Sequence, residues 1–124
     1  MNNFGEATTL REAAKGTGIY IGTAMNQRMM KMDGAYAKLG AREYSLATEE
    51  NACKMNGIAH SFTNIDLANC LYTAKYAEDN GMVMRGHTLV WGSAGTHNPA
   101  FINNEKDATK LENFMNEYIE TVMT

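Results

Sequence analysis

Asn80-Gly81-Met82-Val83-Met84-Arg85-Gly86-His87-Thr88-Leu89-Val90-Trp91 is a turn pair followed by an apolar run, and its reading decides the fold. β-Branched and aromatic residues favour a pleated, half-buried surface, so residues 82–91 are predicted as a strand. Upstream, Leu67, Leu71, Ala74 and Ala77 recur at helical spacing behind an Asn or Thr cap, and Asn80-Gly81 closes that helix. The same helix-to-strand alternation continues towards the N-terminus. Tyr44–Thr48 reads as a strand, residues 33–39 as a short helix with Tyr36 and Leu39 on one side and Gly40 as terminator. Gly18–Ala24 reads as a buried strand because no charge interrupts it. Thr9-Leu10-Arg11-Glu12 has capping-box order, and Gly16 offers a left-handed stop. Beyond Trp91 a loop is expected to Asn104. A last helix then carries Leu111, Phe114, Tyr118, Ile119 and Val122 on one stripe up to Thr124.

Strict alternation of strands and helices implies parallel strands joined by right-handed crossovers, so the class is α/β. Three strands with helices on one side leave an apolar face and two edges open. More chain, or a second copy, is needed to close them. An eight-stranded (β/α)8 (TIM) barrel takes about 250 residues, and the repeat length here fits its first three to four β/α units. Residues 1–124 are therefore read as one truncated domain, the N-terminal part of such a barrel.

The composition narrows the partners. The chain has 124 residues, 44% hydrophobic, with a formal net charge of -3 and no Lys/Arg cluster. Nucleic acid and anionic membrane are excluded on that balance. No apolar run approaches the roughly 20 residues of a membrane span, and the Met1–Gly5 start lacks the basic-then-apolar order of a secretion signal. Cys53 and Cys70 are too few for a disulfide scaffold and lack zinc spacing, so both are read as buried, helix-facing free thiols. Free thiols suit a cytosolic setting, although a secreted chain can carry two as well. Met25, Met29, Met30 and Met32 are read as flexible apolar filling, with a thioether metal site as the competing reading. Gly16-Thr17-Gly18 and Gly22 stand before and inside a strand, not at a strand-to-helix turn, which rejects a dinucleotide site. No metal and no cofactor is expected.

In parallel α/β proteins ligands sit at the carboxyl ends of the strands. Three polar groups follow the expected strands: Met25-Asn26, Thr48-Glu49-Glu50-Asn51-Ala52-Cys53-Lys54 and Arg85–Trp91. On a strand, His87, Leu89 and Trp91 would share a face and line one pocket, and a core histidine beside a packed indole is the alternative. In a helical turn Glu50 and Lys54 would form an i, i+4 surface ion pair. Asn51 offers a neutral donor and acceptor, suited to sugar hydroxyls or to a helix cap.

Glu50-Asn51-x-x-Lys54 followed by Arg85-Gly86-His87-Thr88-Leu89-Val90-Trp91 resembles glycoside hydrolase family 10, the endo-β-1,4-xylanases that fold as (β/α)8 barrels. The likeness runs from about Leu10 to Met123 and includes Gly22-Thr23-Ala24, Phe62-x-x-x-Asp66 and Ala77-x-x-Asn80-Gly81-Met82. The resemblance implies that Glu50, Asn51 and Lys54 bind hydroxyls of the sugar two places from the cleaved bond on the non-reducing side. It implies that His87 and Trp91 line the adjoining subsite, where the ring is distorted. A carboxylate and an amide match paired hydroxyls, and an indole covers the apolar face of a pyranose. The partner implied is a β-1,4-linked glycan such as xylan, and the setting implied is extracellular.

Departures from the family are equally specific. Met55 stands where a Trp is usual, Gly92 where a His is usual, and Pro99-Ala100-Phe101 replaces a Pro-x-Trp pattern. Each change is expected to thin the glycan surface. Retaining glycosidases need two carboxylates about 5 to 5.5 Å apart. The family's W-D-V-x-N-E and later T-E-x-D patterns, which hold them, do not occur here. No catalytic residue is assigned, and these residues alone are expected to bind without hydrolysing. Adjacent Glu49 and Glu50 would point oppositely on an extended segment. Self-association or a complementary half barrel would cover the open sheet. A non-catalytic glycan-binding or structural, self-assembling protein is the rival reading.

Overall fold

A computed structural model describes residues 7–92 and 97–124. The Met1–Gly5 start, and residues 93–96 of the loop after Trp91, lie outside the described residues. Thr9 caps the first helix, α1 (Leu10–Ala14), accepting from the Glu12 amide, while the Glu12 carboxylate turns back to the Thr8 amide and hydroxyl at 2.8 Å. Gly16 is left-handed at φ 79°, as the sequence requires. Strand β1 (Gly22–Met25) leads to α2 (Gln27–Met32) and α3 (Gly34–Glu43), and β2 (Leu46–Glu49) to α4 (Met55–Ile58). A hairpin of β3 (Ala59–Ser61) and β4 (Asn64–Ile65) precedes α5 (Ala68–Asp79), β5 (Val83–Arg85), α6 (Ala100–Asn104) and α7 (Ala108–Met123).

β2 lies between β1 and β5, parallel to both, with Thr23 opposite Ala47 and Ala47 opposite Met84. Because side chains alternate along strands, Met25, Ala47 and Met84 share one face with Glu49. That face packs against Met30, Ala77 and Met82, with Tyr36 and Tyr76 around them. The methionines at 25 and 30 are therefore core filling, whereas Met29 and Met32, read the same way from the sequence, are exposed. The opposite face carries Ala24, Leu46, Thr48, Val83 and Arg85, a mixed surface where the sequence suggested an apolar one. A second core lies under α7, where Phe114 and Tyr118 meet Met55, Ile58 and Ala59. Phe62, Phe101 and Phe114 pack edge to face there, with centroids 4.8 to 5.5 Å apart. α7 follows the apolar stripe read from the sequence.

Several elements depart from the sequence reading for identifiable reasons. The strands are shorter than expected: Ile19 and Tyr20 are exposed, and residues 86–92 form no strand. His87 and Trp91 consequently do not share a strand face. The helix expected over 33–39 is capped at its start by Asp33 through the Ala35 and Tyr36 amides, and it runs on past Gly40 to Glu43. Gly40 lies inside it, where an added Cβ would stand 2.6 Å from Met25 Cε and 2.8 Å from the Tyr76 hydroxyl. The glycine serves close packing, not termination. In α5, Leu71 is exposed while Thr73 and Ala77 are buried, so the helix turns a different stripe inward. Cys53 and Cys70 are not free thiols: they form a disulfide with Cα atoms 4.7 Å apart. The cytosolic hint drawn from free thiols is withdrawn with it.

Long-range polar contacts tie the helices together. Arg11 donates to the carbonyls of Ala41 and Asn80, each at 3.0 Å, and of Gly81 at 2.6 Å. A cation placed on carbonyls in and just past the last turns of helices satisfies groups that lack intrahelical partners. Among the described residues no helix is long and apolar enough to cross a membrane.

Two expectations follow from this packing. The Tyr118 hydroxyl is buried without a hydrogen-bond partner among the described residues, and burial pushes its pKa up to about 12. Tyr118→Phe removes an uncompensated polar group and is expected to stabilise the chain by about 1 kcal/mol in urea unfolding. Glu105 accepts from Lys110 Nζ at 2.6 Å and from the Asp107 and Lys106 amides, which lower its pKa to about 2. A carboxylate depressed from 4.5 contributes stability that is complete above that value and is lost as the pH falls towards 2. Glu105→Gln is therefore expected to reduce the fall in melting temperature between pH 5 and pH 2.

Candidate functional site

Parallel pairing sets the carboxyl ends of β1, β2 and β5 on one rim, so Asn26, the 50–54 loop and residues 86–91 emerge side by side. Asn26 Nδ2 donates to Glu50 Oε2 at 2.8 Å, and its Oδ1 caps α2 through the Met29 amide. Lys54 Nζ donates to Asn51 Oδ1 at 3.0 Å and stands 5.6 Å from the centre of the Trp91 ring. The Trp91 ring lies 6.2 Å from that of His87 and stacks on His97 at 4.1 Å. All five residues picked from the sequence thus lie along one connected rim. The expected Glu50–Lys54 ion pair does not form, because residues 50–54 are not helical. Each partner is engaged elsewhere.

Beneath the rim, Glu49 is 1% exposed. One carboxylate oxygen accepts from the Asn51, Ala52 and Cys53 amides, and the other from the Gln27 amide at 3.2 Å. A buried charge needs such donors. Glu49 and Glu50 do point apart: the first organises the loop from below, and the second faces solvent. Glu49 therefore lies beneath the 50–54 loop.

Two of the three departures noted in the sequence also change meaning. Met55 is 3% exposed and packs with Ile58, and Phe101 packs on Phe62 and Phe114. These positions fill the core in this chain, so neither thins the rim. Sequence reasoning singled out Asn26 only as part of a polar group and missed His97. The one available signal for His97 was an aromatic residue close in sequence to Trp91.

Beside the loop, a shallow cleft of ≈ 290 Å³ is lined by Asn26, Gln27, Arg28, Asn51, Asn56 and Asn69 among others. A larger groove of ≈ 720 Å³, lined by Arg11, Lys15, Ile19, Tyr20 and Arg42, lies at the opposite, amino-end rim. It shares no residue with the polar rim, and the smaller cleft carries the sugar-compatible amides. Among the described residues no group of three His, Cys, Asp or Glu side chains converges to hold a metal ion.

The profile of "Glycosyl hydrolase family 10" matches residues 9–124. The chain is 28% identical over 105 residues to endo-1,4-beta-xylanase 3 of Hypocrea jecorina, covering 85% of this chain and 29% of that protein. It is 31% identical over 116 residues to endo-1,4-beta-xylanase 2 of Claviceps purpurea, covering 93% of this chain and 34% of that protein. Xylanase 10B from Thermotoga petrophila, solved in complex with xylobiose, superposes with a TM-score of 0.84 at 29% identity, covering 94% of this chain and 36% of that one. Xylanase 10B from Thermotoga maritima gives 0.82 at 30% identity, covering 92% and 35%. The chain thus spans about a third of the length of these four proteins, and its fold is a partial (β/α)8 barrel.

Trp91 is the single tryptophan, so its fluorescence reads this rim alone. Lys54→Met removes the cation near the indole at a half-exposed position, an interaction of about 0.5 to 1 kcal/mol. The expected result is a changed emission spectrum with a melting temperature that moves by only a few degrees.

Proposed function

The chain belongs to glycosyl hydrolase family 10, and from that premise we propose that these residues are the sugar-gripping part of a retaining β-1,4-xylanase-type barrel. Glu50, Asn51 and Lys54 hold hydroxyls of the sugar two places from the scissile bond on the non-reducing side. His87 and Trp91 line the adjoining subsite. The observation that carries this reading is the Lys54 ammonium, which contacts both Asn51 and the face of Trp91 and so joins the two motifs into one surface. That surface pairs convergent donors and acceptors with an aromatic plane, the combination a pyranose presents in complement. His97, stacked on Trp91, steadies the indole, and Asn26 orients Glu50.

Bond cleavage needs a proton donor and a nucleophile placed on either side of the anomeric carbon. Glu49 is enclosed by four backbone amides and Glu50 is held by Asn26, so neither is placed for that work. A polypeptide of these 124 residues therefore binds glycan without cleaving it. Hydrolysis belongs to a longer chain or to a complementary half barrel that supplies both carboxylates.

The edges of the sheet favour a second reading. Among the described residues β1 and β5 each pair on one side only, and Val83 is 41% exposed on the uncovered face. Copies of the chain that cover these edges would make a glycan-binding or structural assembly with no catalytic pair. Light scattering on the purified chain distinguishes the cases, since a stable monomer contradicts self-association.

Titration with xylohexaose tests the rim directly. Binding by the wild-type chain with Trp91 emission changes is expected, with at least a tenfold loss in the His87→Ala, Trp91→Ala pair. Equal affinity in both would return these residues to a packing role. Sustained release of reducing sugar from arabinoxylan by the repurified 124-residue chain, unaffected by Glu50→Gln, would show that the chemistry lies elsewhere.

A further inference from the structure

We propose that Glu49 and the Cys53–Cys70 disulfide are positioning groups that hold the 50–54 loop in its glycan-binding shape, so that affinity depends on the disulfide being closed. The proposal rests on the reading of the rim given above. It arises from a mechanical problem. Residues 50–54 run between β2 and α4 without helix or strand ladder, yet they carry Glu50, Asn51 and Lys54. A loop without its own ladder keeps a binding geometry only when the surrounding structure imposes it.

Three anchors impose it here. From below, the Glu49 carboxylate gathers the amides of Asn51, Ala52 and Cys53 onto one oxygen, and the other oxygen ties them to α2 through Gln27. From the side, the disulfide joins Cys53, inside the loop, to Cys70, in the first turn of α5. Cys53 is 5% exposed, so the loop is drawn inward at that point. From behind, α4 packs directly against the loop backbone. A Cβ at Gly57 would lie 2.9 Å from the Asn51 carbonyl oxygen and 3.0 Å from that of Ala52.

The anchors act on the side chains that touch sugar. Lys54 follows Cys53 directly and Asn51 lies two residues before it, and the Lys54 amide donates to the Asn51 carbonyl at 3.1 Å. Releasing Cys53 from α5 frees the turn that sets the distance from Lys54 to Asn51 and to Trp91. Glu49 alone then holds the amides. A dithiol reductant supplies the electrons and protons: its thiolate attacks one sulfur, the Cys53–Cys70 bond breaks, and both sulfurs end as thiols. The reductant closes into its own disulfide.

The test compares the oxidised wild-type chain, the same chain reduced with dithiothreitol, Cys53→Ser/Cys70→Ser and Glu49→Gln. Each is titrated with xylohexaose, and hydrogen exchange is measured at the amides of residues 50–54. Expected are at least a fivefold loss of affinity in the reduced and double-serine chains, recovery on reoxidation, and faster exchange confined to the loop. Glu49→Gln is expected to speed exchange at Asn51, Ala52 and Cys53. An oxidised chain that binds, with reduced and variant chains that bind equally well, overturns the positioning claim alone. Loss of protection throughout the chain on reduction also overturns it, because the disulfide would then be a general staple. An oxidised chain that binds no oligosaccharide sinks the rim reading, and this proposal's ligand with it.

Discussion

Everything at the rim depends on the parallel pairing of β2 with both of its neighbours. Parallel strands send their carboxyl ends in one direction, so residues distant in sequence leave the sheet side by side. Here Met25 pairs with Glu49 and Thr48 with Arg85, which fixes where Asn26, Glu50 and Gly86 begin. An antiparallel β2 would put Asn26 and Glu50 at opposite ends of the sheet. The contacts that join separate segments, Asn26 to Glu50 and Lys54 to Trp91, would not survive that change. The helices that cover one face enforce the direction, because each crossover must span the sheet before the next strand starts.

Within that frame, burial separates two carboxylates adjacent in sequence into different tasks. Strand alternation turns Glu49 towards the helices and leaves Glu50 outside. Once inside, a carboxylate needs donors, and the backbone of the following loop supplies them. The amide hydrogen bonds that offset the cost of burying Glu49 also order the residues that carry Glu50, Asn51 and Lys54. Its contacts reach α2 as well, so the loops after β1 and β2 are coupled through one side chain.

How much of this was legible in the sequence depends on range. The α/β class, the parallel order, the Thr9 cap and the α7 stripe follow from local pattern, and the structure has all of them. The two family motifs identified the residues that lie along the rim. What failed required knowledge of neighbours. Gly40 looked like a stop signal because glycine ends helices, but its lack of a side chain admits Met25 and Tyr76 from distant segments. Cys53 and Cys70 lie 17 residues apart, and nothing in that spacing says that the loop and α5 meet. Residues 86–91 are as apolar as a strand, yet a strand needs a backbone partner, and among the described residues sheet pairing stops at Arg85. The β3–β4 hairpin was missed because its strands are too short to show alternation.

The substitutions at Met55 and Phe101 show why position in a motif and position in space must be weighed together. Loss of an aromatic residue beside a binding lysine reads as a weakened glycan surface when only sequence is considered. In the fold both side chains face the core under α7, where Met55 packs with Ile58 and Phe101 joins an edge-to-face set with Phe62 and Phe114. Methionine adapts to irregular core space. The aromatic surface that remains at the rim is Trp91 between His87 and His97, with Lys54 near its face. Apolar stacking is thus concentrated on one ring, and under the proposed function hydroxyl recognition falls to the loop beside it. A site divided in this way depends on the relative placement of its two halves, and that placement rests on the backbone of residues 50–54.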